Sequence, residues 1–295
     1  MGTMGPGIAA VLARGGWNVA AYDISPEQLE KARADLPTMN KVLALIGGPD
    51  KPGNVAFGTD LAAAVKDAAL IVEAVPERPD LKKQVFAELD RLAAPAAMLA
   101  SNTSGIPITA LQAVCTHKTR VIGMHWSNPP HVIPVVEVIA GEHTGPAYVQ
   151  RLCKIVTDCG LKPIVVKKDV AGFVHNRVLY ALLRECVALV DQDVIVAEEL
   201  DTLVKFALGL KLSVLGPMEL LDVAGLDIYE AVAGYLNKEL DASSGVPTYV
   251  TSRTKAKRLG MKTGGGIYAY TPERIRQLRL ARAARMVGVR KVMDD

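Results

Sequence analysis

The feature that most constrains this chain is a change of period near its middle. Up to residue 168, short apolar runs alternate with segments whose apolar residues recur at three- and four-residue steps, as in a parallel sheet crossed by helices. The runs at 18–22, 69–74, 98–100, 120–126, 135–139 and 163–167 read as strands. Segments 26–45 and 79–92 each open with a proline, tolerated in a first helical turn, and read as crossover helices. Beyond Lys168 the helical period dominates, at 176–196, 198–208, 215–227 and in an arginine-rich C-terminal helix; alternation returns only at 266–270. The sequence therefore predicts an α/β fold, with a doubly wound sheet in a domain over 1–168 and a helical domain over 169–295.

Charge narrows the function classes. The 34 basic and 31 acidic residues leave a net +3, but residues 273–295 hold seven basic residues against three acids, so the rest sums to −1. A basic excess confined to one helix is a solvated face and gives no footprint for nucleic acid. The uncharged stretch 92–116 is interrupted by Ser101, Asn102, Thr103, Ser104, Pro107 and Gln112. It reads as a buried strand, a loop and a short helix, and no membrane span is expected. Cys115, Cys153, Cys159 and Cys186 stand at no paired or metal-ligand spacing and follow no secretory leader, so a reducing cytoplasmic setting without a bound metal is expected.

At the amino end Gly2-Thr3-Met4-Gly5 runs directly into the helical pattern of Ile8, Ala9, Val11 and Leu12. Gly2 and Gly5 fit the last two glycines of a Gly-x-Gly-x-x-Gly turn, where backbone amides at a helix start receive a pyrophosphate. Asp23 follows Gly5 by 18 residues at the end of a predicted strand, where a carboxylate accepts hydrogen bonds from an adenine ribose and repels a 2′-phosphate. NAD is thus predicted over NADP. The strand that should precede the glycines is missing from the sequence, and we expect the chain to start at an internal methionine of a longer product.

The chemistry-bearing residues follow. Asn102, Thr103 and Ser104 come after an apolar strand, where ligands gather in open parallel sheets. His125 ends the next strand and Glu137 lies 12 residues on in another, room enough for a turn that folds the second strand back beside the first and sets carboxylate next to imidazole. Spacing alone leaves two readings open: a general base tuned by its carboxylate, or a hydrogen-bonded core histidine beside a strand-end acid. His125 and His131 make a poor metal pair, because Pro129 and Pro130 intervene and no third ligand is suitably spaced.

Taken in order, Gly2-Thr3-Met4-Gly5, Glu73-Ala74-Val75 with Glu77, Asn102-Thr103-Ser104, Gly123-Met124-His125 with Asn128-Pro129, Val136-Glu137-Val138, Gly172-Phe173 with Asn176-Arg177, Gly216-Pro217-Met218-Glu219-Leu220 and Lys262-Thr263-Gly264 resemble the 3-hydroxyacyl-CoA dehydrogenase family along nearly the whole chain. The resemblance implies an NAD-dependent dehydrogenase with a Rossmann domain and a helical domain that pairs in a homodimer. It implies His125 as catalytic base, Glu137 as its orienting carboxylate, and Ser104 and Asn176 as residues that hold the substrate oxygen. Gly2, Thr3, Met4, Gly5, Asp23, Glu77, Lys82, Asn102 and Ser104 are implied in cofactor binding.

Three departures bear on the small-molecule substrate. Where acyl-CoA enzymes of the family read Phe-Phe-Asn-Pro, this chain reads Trp126-Ser127-Asn128-Pro129-Pro130-His131, which is more similar to members acting on free carboxylates, such as 5-formyl-3-hydroxy-2-methylpyridine-4-carboxylate of pyridoxine breakdown. Between Asp23 and Glu73 only Lys31, Arg33, Lys41, Lys51 and Lys66 are basic, a thin surface for the phosphates of CoA. Ala171 stands where the family usually has proline before Gly172-Phe173, and no functional conclusion follows from it. Asn128, His131, Arg177 and Tyr180 are candidates to meet a carboxylate or phenol; for the last three a turn cap, an ordinary family arginine and core packing are the competing readings. An authentic 3-hydroxyacyl-CoA or 3-hydroxybutyryl-CoA dehydrogenase, and a non-catalytic crystallin-like NAD-binding protein, are the alternatives.

Overall fold

The computed structural model describes residues 1–294 and divides into two compact units, Met1–Arg177 and the residues from Val178 onward. The first unit opens with α1 (Gly5–Arg14), β1 (Val19–Tyr22) and α2 (Pro26–Ile46), followed by β2 (Val55–Gly58), α3 (Leu61–Val65), β3 (Leu70–Glu73) and α4 (Pro79–Leu92). It continues through β4 (Met98–Ser101), α5 (Ile108–Gln112), β5 (Val121–Trp126), β6 (Val135–Ala140), α6 (Pro146–Asp158) and β7 (Lys162–Val166) to the start of α7 (His175–Asp191). Helix starts are set locally: the hydroxyl of Ser25 accepts from Gln28 N at 3.3 Å and Asp60 from Ala63 N at 3.1 Å, satisfying amides with no intrahelical partner.

Strands β3 to β7 form one sheet in sequence order and β1 pairs with β2 in a separate ribbon. All pairings are parallel except β5 with β6, which run antiparallel. The expected α/β sheet is therefore present, and its one reversed pair is the fold-back expected between His125 and Glu137. Every residue of β4 and β5 is buried, so these strands read as continuous hydrophobic runs covered on both faces. Ile8, Val11 and Leu12 of α1 pack in one core cluster with Trp126, Val136 and Val138, and Val19 of β1 and Leu70 and Val72 of β3 pack against that same cluster. No ladder joins β1 to β3.

The second unit is helical: α8 (Ala197–Leu203), a π-helical stretch Val204–Gly209, α9 (Leu210–Leu212), α10 (Pro217–Ala224), α11 (Leu226–Leu236), α12 (Thr248–Lys255) and α13 (Pro272–Asp294). Three expectations are corrected. The helix predicted over 215–227 is two helices, broken at Gly225, whose φ of 101° a helix cannot hold. Segment 266–270 is no strand; around it only the isolated bridges Gly260 to Gly265 and Gly265 to Ala269 form, because a glycine-rich turn gives the alternation no ladder to join. The helix predicted over 176–196 ends at Asp191, shortly before Asp193 turns to φ 55°.

Candidate active site

The antiparallel pairing of β5 with β6 sets His125 directly opposite Glu137. His125 Nδ1 lies 2.7 Å from Glu137 Oε2, and the two residues are only 5% and 4% exposed. The other carboxylate oxygen, Oε1, accepts from Val174 N and His175 N, both at 3.0 Å, where α7 begins. Burial opposes the charge on Glu137, but these hydrogen bonds from His125, His175 and Val174 outweigh it and hold its pKa below the ordinary carboxylate value. An ionised carboxylate only accepts, so Nδ1 of His125 is the donor and Nε2 is left as a proton acceptor.

His125 borders a cavity of about 210 Å³. Met4 lines it before α1, Asn102 and Ser104 after β4, Trp126, Ser127 and Asn128 at the end of β5, and His175 and Asn176 at the start of α7. These residues are held by one another. Asn102 Oδ1 accepts from Trp126 N at 2.9 Å, and Asn176 Nδ2 donates to the carbonyl oxygen of Ser104 at 2.7 Å. Ser104 N in turn donates to Glu77 Oε1 at 2.9 Å. The backbone of Ser104 is thus fixed on both sides.

Beneath this loop is an ionic cluster centred on the buried Lys82 and Glu73, with Glu77 at its exposed edge. Lys82 Nζ sits 2.8 Å from Glu73 Oε1, 3.3 Å from Glu77 Oε2 and 3.2 Å from the carbonyl of Val75, while Ser101 Oγ donates to Glu73 Oε2 at 2.6 Å. Glu77 also accepts from Thr103 Oγ1 at 2.5 Å. Burial raises the pKa of Glu77, and the Thr103 hydroxyl, the Lys82 ammonium and the Ser104 amide together pull it below the usual range.

At the amino end the residues fit a dinucleotide. Helix α1 has no side-chain cap and no acid in its first turn, so its amides and dipole are available to phosphate. A Cβ built on Gly2 would meet nothing within 4 Å, which leaves open space beside that helix start. Asp23 ends β1 as expected, with Oδ1 accepting from Ser25 N at 2.9 Å and Oδ2 paired with the amino group of Met1. The tightly packed glycine is Gly7: a Cβ there would lie 2.6 Å from Pro130 Cγ and 3.2 Å from His131 Nδ1.

Residues 1–170 match the NAD binding domain of 3-hydroxyacyl-CoA dehydrogenase, and residues 172–270 match its C-terminal domain. The chain belongs to the 3-hydroxyacyl-CoA dehydrogenase family. Within it, the chain is 48% identical over 297 residues to the 5-formyl-3-hydroxy-2-methylpyridine 4-carboxylate 5-dehydrogenase of Mesorhizobium japonicum, covering 100% of this chain and 96% of that one. A crystal structure of a dehydrogenase of that name, described as an NAD+ dependent dismutase, is similar with a TM-score of 0.97 at 48% identity, over 99% of this chain and 96% of that chain. A probable 3-hydroxybutyryl-CoA dehydrogenase of Deinococcus radiodurans is 33% identical over 275 residues, 91% of this chain and 97% of its own. The structure of M. tuberculosis FadB2 has a TM-score of 0.73 at 32% identity, over 92% of this chain and 96% of that one. This 3-hydroxyacyl-CoA dehydrogenase family member is an NAD-dependent oxidoreductase.

Of the residues that the family resemblance implied, the fold gathers His125, Ser104, Asn102, Asn176, Met4 and Asn128 around one cavity, with Glu137 behind His125. Lys82 is 1% exposed, and its ammonium is bonded to Glu73, Glu77 and the carbonyl of Val75. His131 is not in the cavity wall but beside Gly7, where burial lowers its pKa. Arg177 and Tyr180 do not line it either; Tyr180 belongs to the second unit and is 68% exposed. Trp126, Ser127 and His175 line the cavity without having been singled out. The adjacency of Ser127 and Trp126 to Asn128, and of His175 to Asn176, was the available signal.

Proposed function

We propose that this dehydrogenase oxidises the formyl group of a small aromatic carboxylate, of the 5-formyl-3-hydroxy-2-methylpyridine-4-carboxylate type, to a carboxylic acid. The observation that carries this reading is the buried His125–Glu137 pair opening on a cavity of about 210 Å³, in scale with a one-ring acid. The relative at 48% identity bears that substrate in its name, and the double proline after Asn128 and the thin basic surface before Glu73 agree with a free carboxylate.

Bound NAD supplies the acceptor for the hydride that leaves the substrate carbon. Gly2, Thr3, Met4 and the start of α1 would hold its phosphates, Asp23 its adenine ribose, and Glu77 and Asn102 the groups nearer the reacting carbon. His125 Nε2 takes a proton from water as the water oxygen bonds to the aldehyde carbon, and returns it to the former carbonyl oxygen to complete a gem-diol. It then takes a diol hydroxyl proton as the C–H bond breaks and a carboxyl group forms. Glu137 stabilises the imidazolium at each stage, and Ser104, Asn176 and Asn128 hold the substrate oxygen in reach. The same groups run in reverse on a second aldehyde, so that two aldehydes and one water yield one acid and one alcohol.

The helical unit exposes Phe206, Met218, Val223, Ile228 and Tyr235 by half or more of their surface, and Ala188 is its one buried hydrophobic residue among those described. A second copy covering that apolar surface makes a homodimer. The four free cysteines agree with a cytoplasmic setting. Supplying the pyridine aldehyde with NAD tests the reading by product analysis. Acid and alcohol that both disappear with His125→Ala support it; turnover of acetoacetyl-CoA by the same preparation, without action on the aldehyde, replaces it with the acyl-CoA reading.

A further inference from the structure

A substrate carboxylate brought into a closed site needs a hydrogen-bonding or cationic partner, because an unpaired buried charge is strongly disfavoured. The residues that line the cavity include no lysine and no arginine; its two imidazoles, His125 and His175, are the side chains there that can carry positive charge. His125 is committed, with Nδ1 on Glu137 and Nε2 facing the reacting group. His175 is not. Its ring nitrogens bond no protein group among the described residues, and its side chain is exposed at the cavity edge.

Its position is nonetheless fixed. The backbone N of His175 donates to Glu137 Oε1 at 3.0 Å while Oε2 of the same carboxylate takes His125. One buried group therefore registers both imidazoles, which stand edge to face at an interplanar angle of 76° with centroids 6.1 Å apart. In the substrate class proposed above, formyl and carboxylate occupy neighbouring positions on the ring. A base at the formyl carbon then requires a carboxylate partner about one side chain away.

Resting on that functional reading, we propose that His175 is the specificity-determining residue that receives the substrate carboxylate by donating a hydrogen bond to it, beside the base His125. The chain thereby reads a free carboxylate ortho to the reacting group with a residue outside the His125–Glu137 pair. A thioester at that place offers no anion to His175 and loses this contact.

The test separates binding from chemistry. The protein with NADH bound is titrated with 3-hydroxy-2-methylpyridine-4-carboxylate, which lacks the formyl group and cannot react, and with its methyl ester, following the fluorescence of the bound NADH. His175→Ala is expected to weaken the carboxylate by roughly 10- to 100-fold, the range of one charge-assisted hydrogen bond, and to leave the ester within about twofold. His175→Gln, which keeps a donor, is expected to recover part of the loss. With the aldehyde as substrate, KM rises in His175→Ala while kcat holds. Equal weakening of acid and ester, unchanged affinity for both, failure of the wild type to bind the acid, or a fall in kcat at constant KM each overturns the proposal. Carboxylate binding that depends on His175 without turnover of the aldehyde would leave this assignment standing and remove the reaction proposed above.

Discussion

His125 and Glu137 are cross-strand partners, and the hydrogen bond between them at 2.7 Å is therefore built into sheet register and does not depend on loop conformation. A one-residue slip of β6 would send the carboxylate to the other face of the sheet. The two backbone amides at the start of α7 complete the hold on Glu137, so the His125 imidazole is oriented by the fold itself.

His125→Ala is accordingly expected to lower kcat by roughly 10²- to 10⁴-fold, the usual share of a positioned acid–base group, with NADH affinity little changed. Glu137→Gln keeps the shape but removes the charge that favours imidazolium, and a smaller loss of kcat with an altered pH–rate profile is expected. Steady-state kinetics across pH together with NADH titration checks both. An unchanged kcat in His125→Ala would return the pair to the role of a packed core histidine and its neighbour.

Cofactor choice turns on Asp23. The sequence after it, Ile24-Ser25-Pro26, carries no positive charge, and a carboxylate there repels a 2′-phosphate. Asp23→Ser is expected to weaken NADH by roughly tenfold while narrowing its advantage over NADPH. Parallel titrations of the two cofactors against wild type and variant measure this directly, and wild-type preference for NADPH would contradict it.

Stability should fall in acid. Asp90, 9% exposed, bonds the fully buried Arg120 through Nη2 at 2.9 Å and accepts from Thr116 N at 2.6 Å. Burial raises its pKa, and the bonds from Arg120, Thr116 and His117 more than reverse this, leaving it lowered; Glu137 and Glu77 are lowered too. Each group is protonated more readily in the unfolded chain than in the folded one. Their stabilisation is present above the unfolded-state values near 4 and is lost as pH falls through the folded-state values. Urea unfolding at pH 7 and pH 3.5 should show the loss. Asp90→Asn leaves Arg120 without its counter-charge, so about 3–5 kcal/mol of destabilisation is expected at pH 7, with a shallower acid dependence.

Burial pushes the thiols of Cys115 and Cys159 up to about 11, reinforced by Asp90 at the first and Asp158 at the second. At pH 8 roughly one molecule in a thousand then carries the thiolate at either site. Iodoacetamide should leave both unmodified in the native protein for times that suffice to alkylate the denatured chain fully, as peptide mass mapping will record. Rapid labelling of either would place that thiol in a less enclosed setting.

Much of the first unit was legible because most of its strands are apolar runs, β4 and β5 being buried throughout, and its long helices begin at Pro26 and Pro79. The short β2, Val55–Gly58, was missed: four residues among glycine and proline show no period until β1 pairs with them. The direction of β6 was legible in one place, the 12-residue interval from His125 to Glu137, which is room enough for a turn that folds β6 back against β5. For the site, residue types and order named His125, Glu137, Ser104 and Asn176, which the fold brings together, whereas Lys82, expected at the cofactor, is buried against Glu73 and reaches the more exposed Glu77. His175 went unread because its place depends on the turn at Gly172 and Phe173, both at positive φ, which delivers it to Glu137. In the helical unit, periodicity found most helices but not Gly225, whose left-handed backbone divides one predicted helix in two.

The missing side chain at Gly7 has a further consequence. Helix α1 touches the ring of Pro130 with no atoms to spare, and Pro130 closely follows Ser127 and Asn128, which line the cavity. A close-packed contact of this kind transmits displacement instead of absorbing it. A tilt of α1 is therefore expected to change the room beside Ser127 and Asn128, on the far side of that proline.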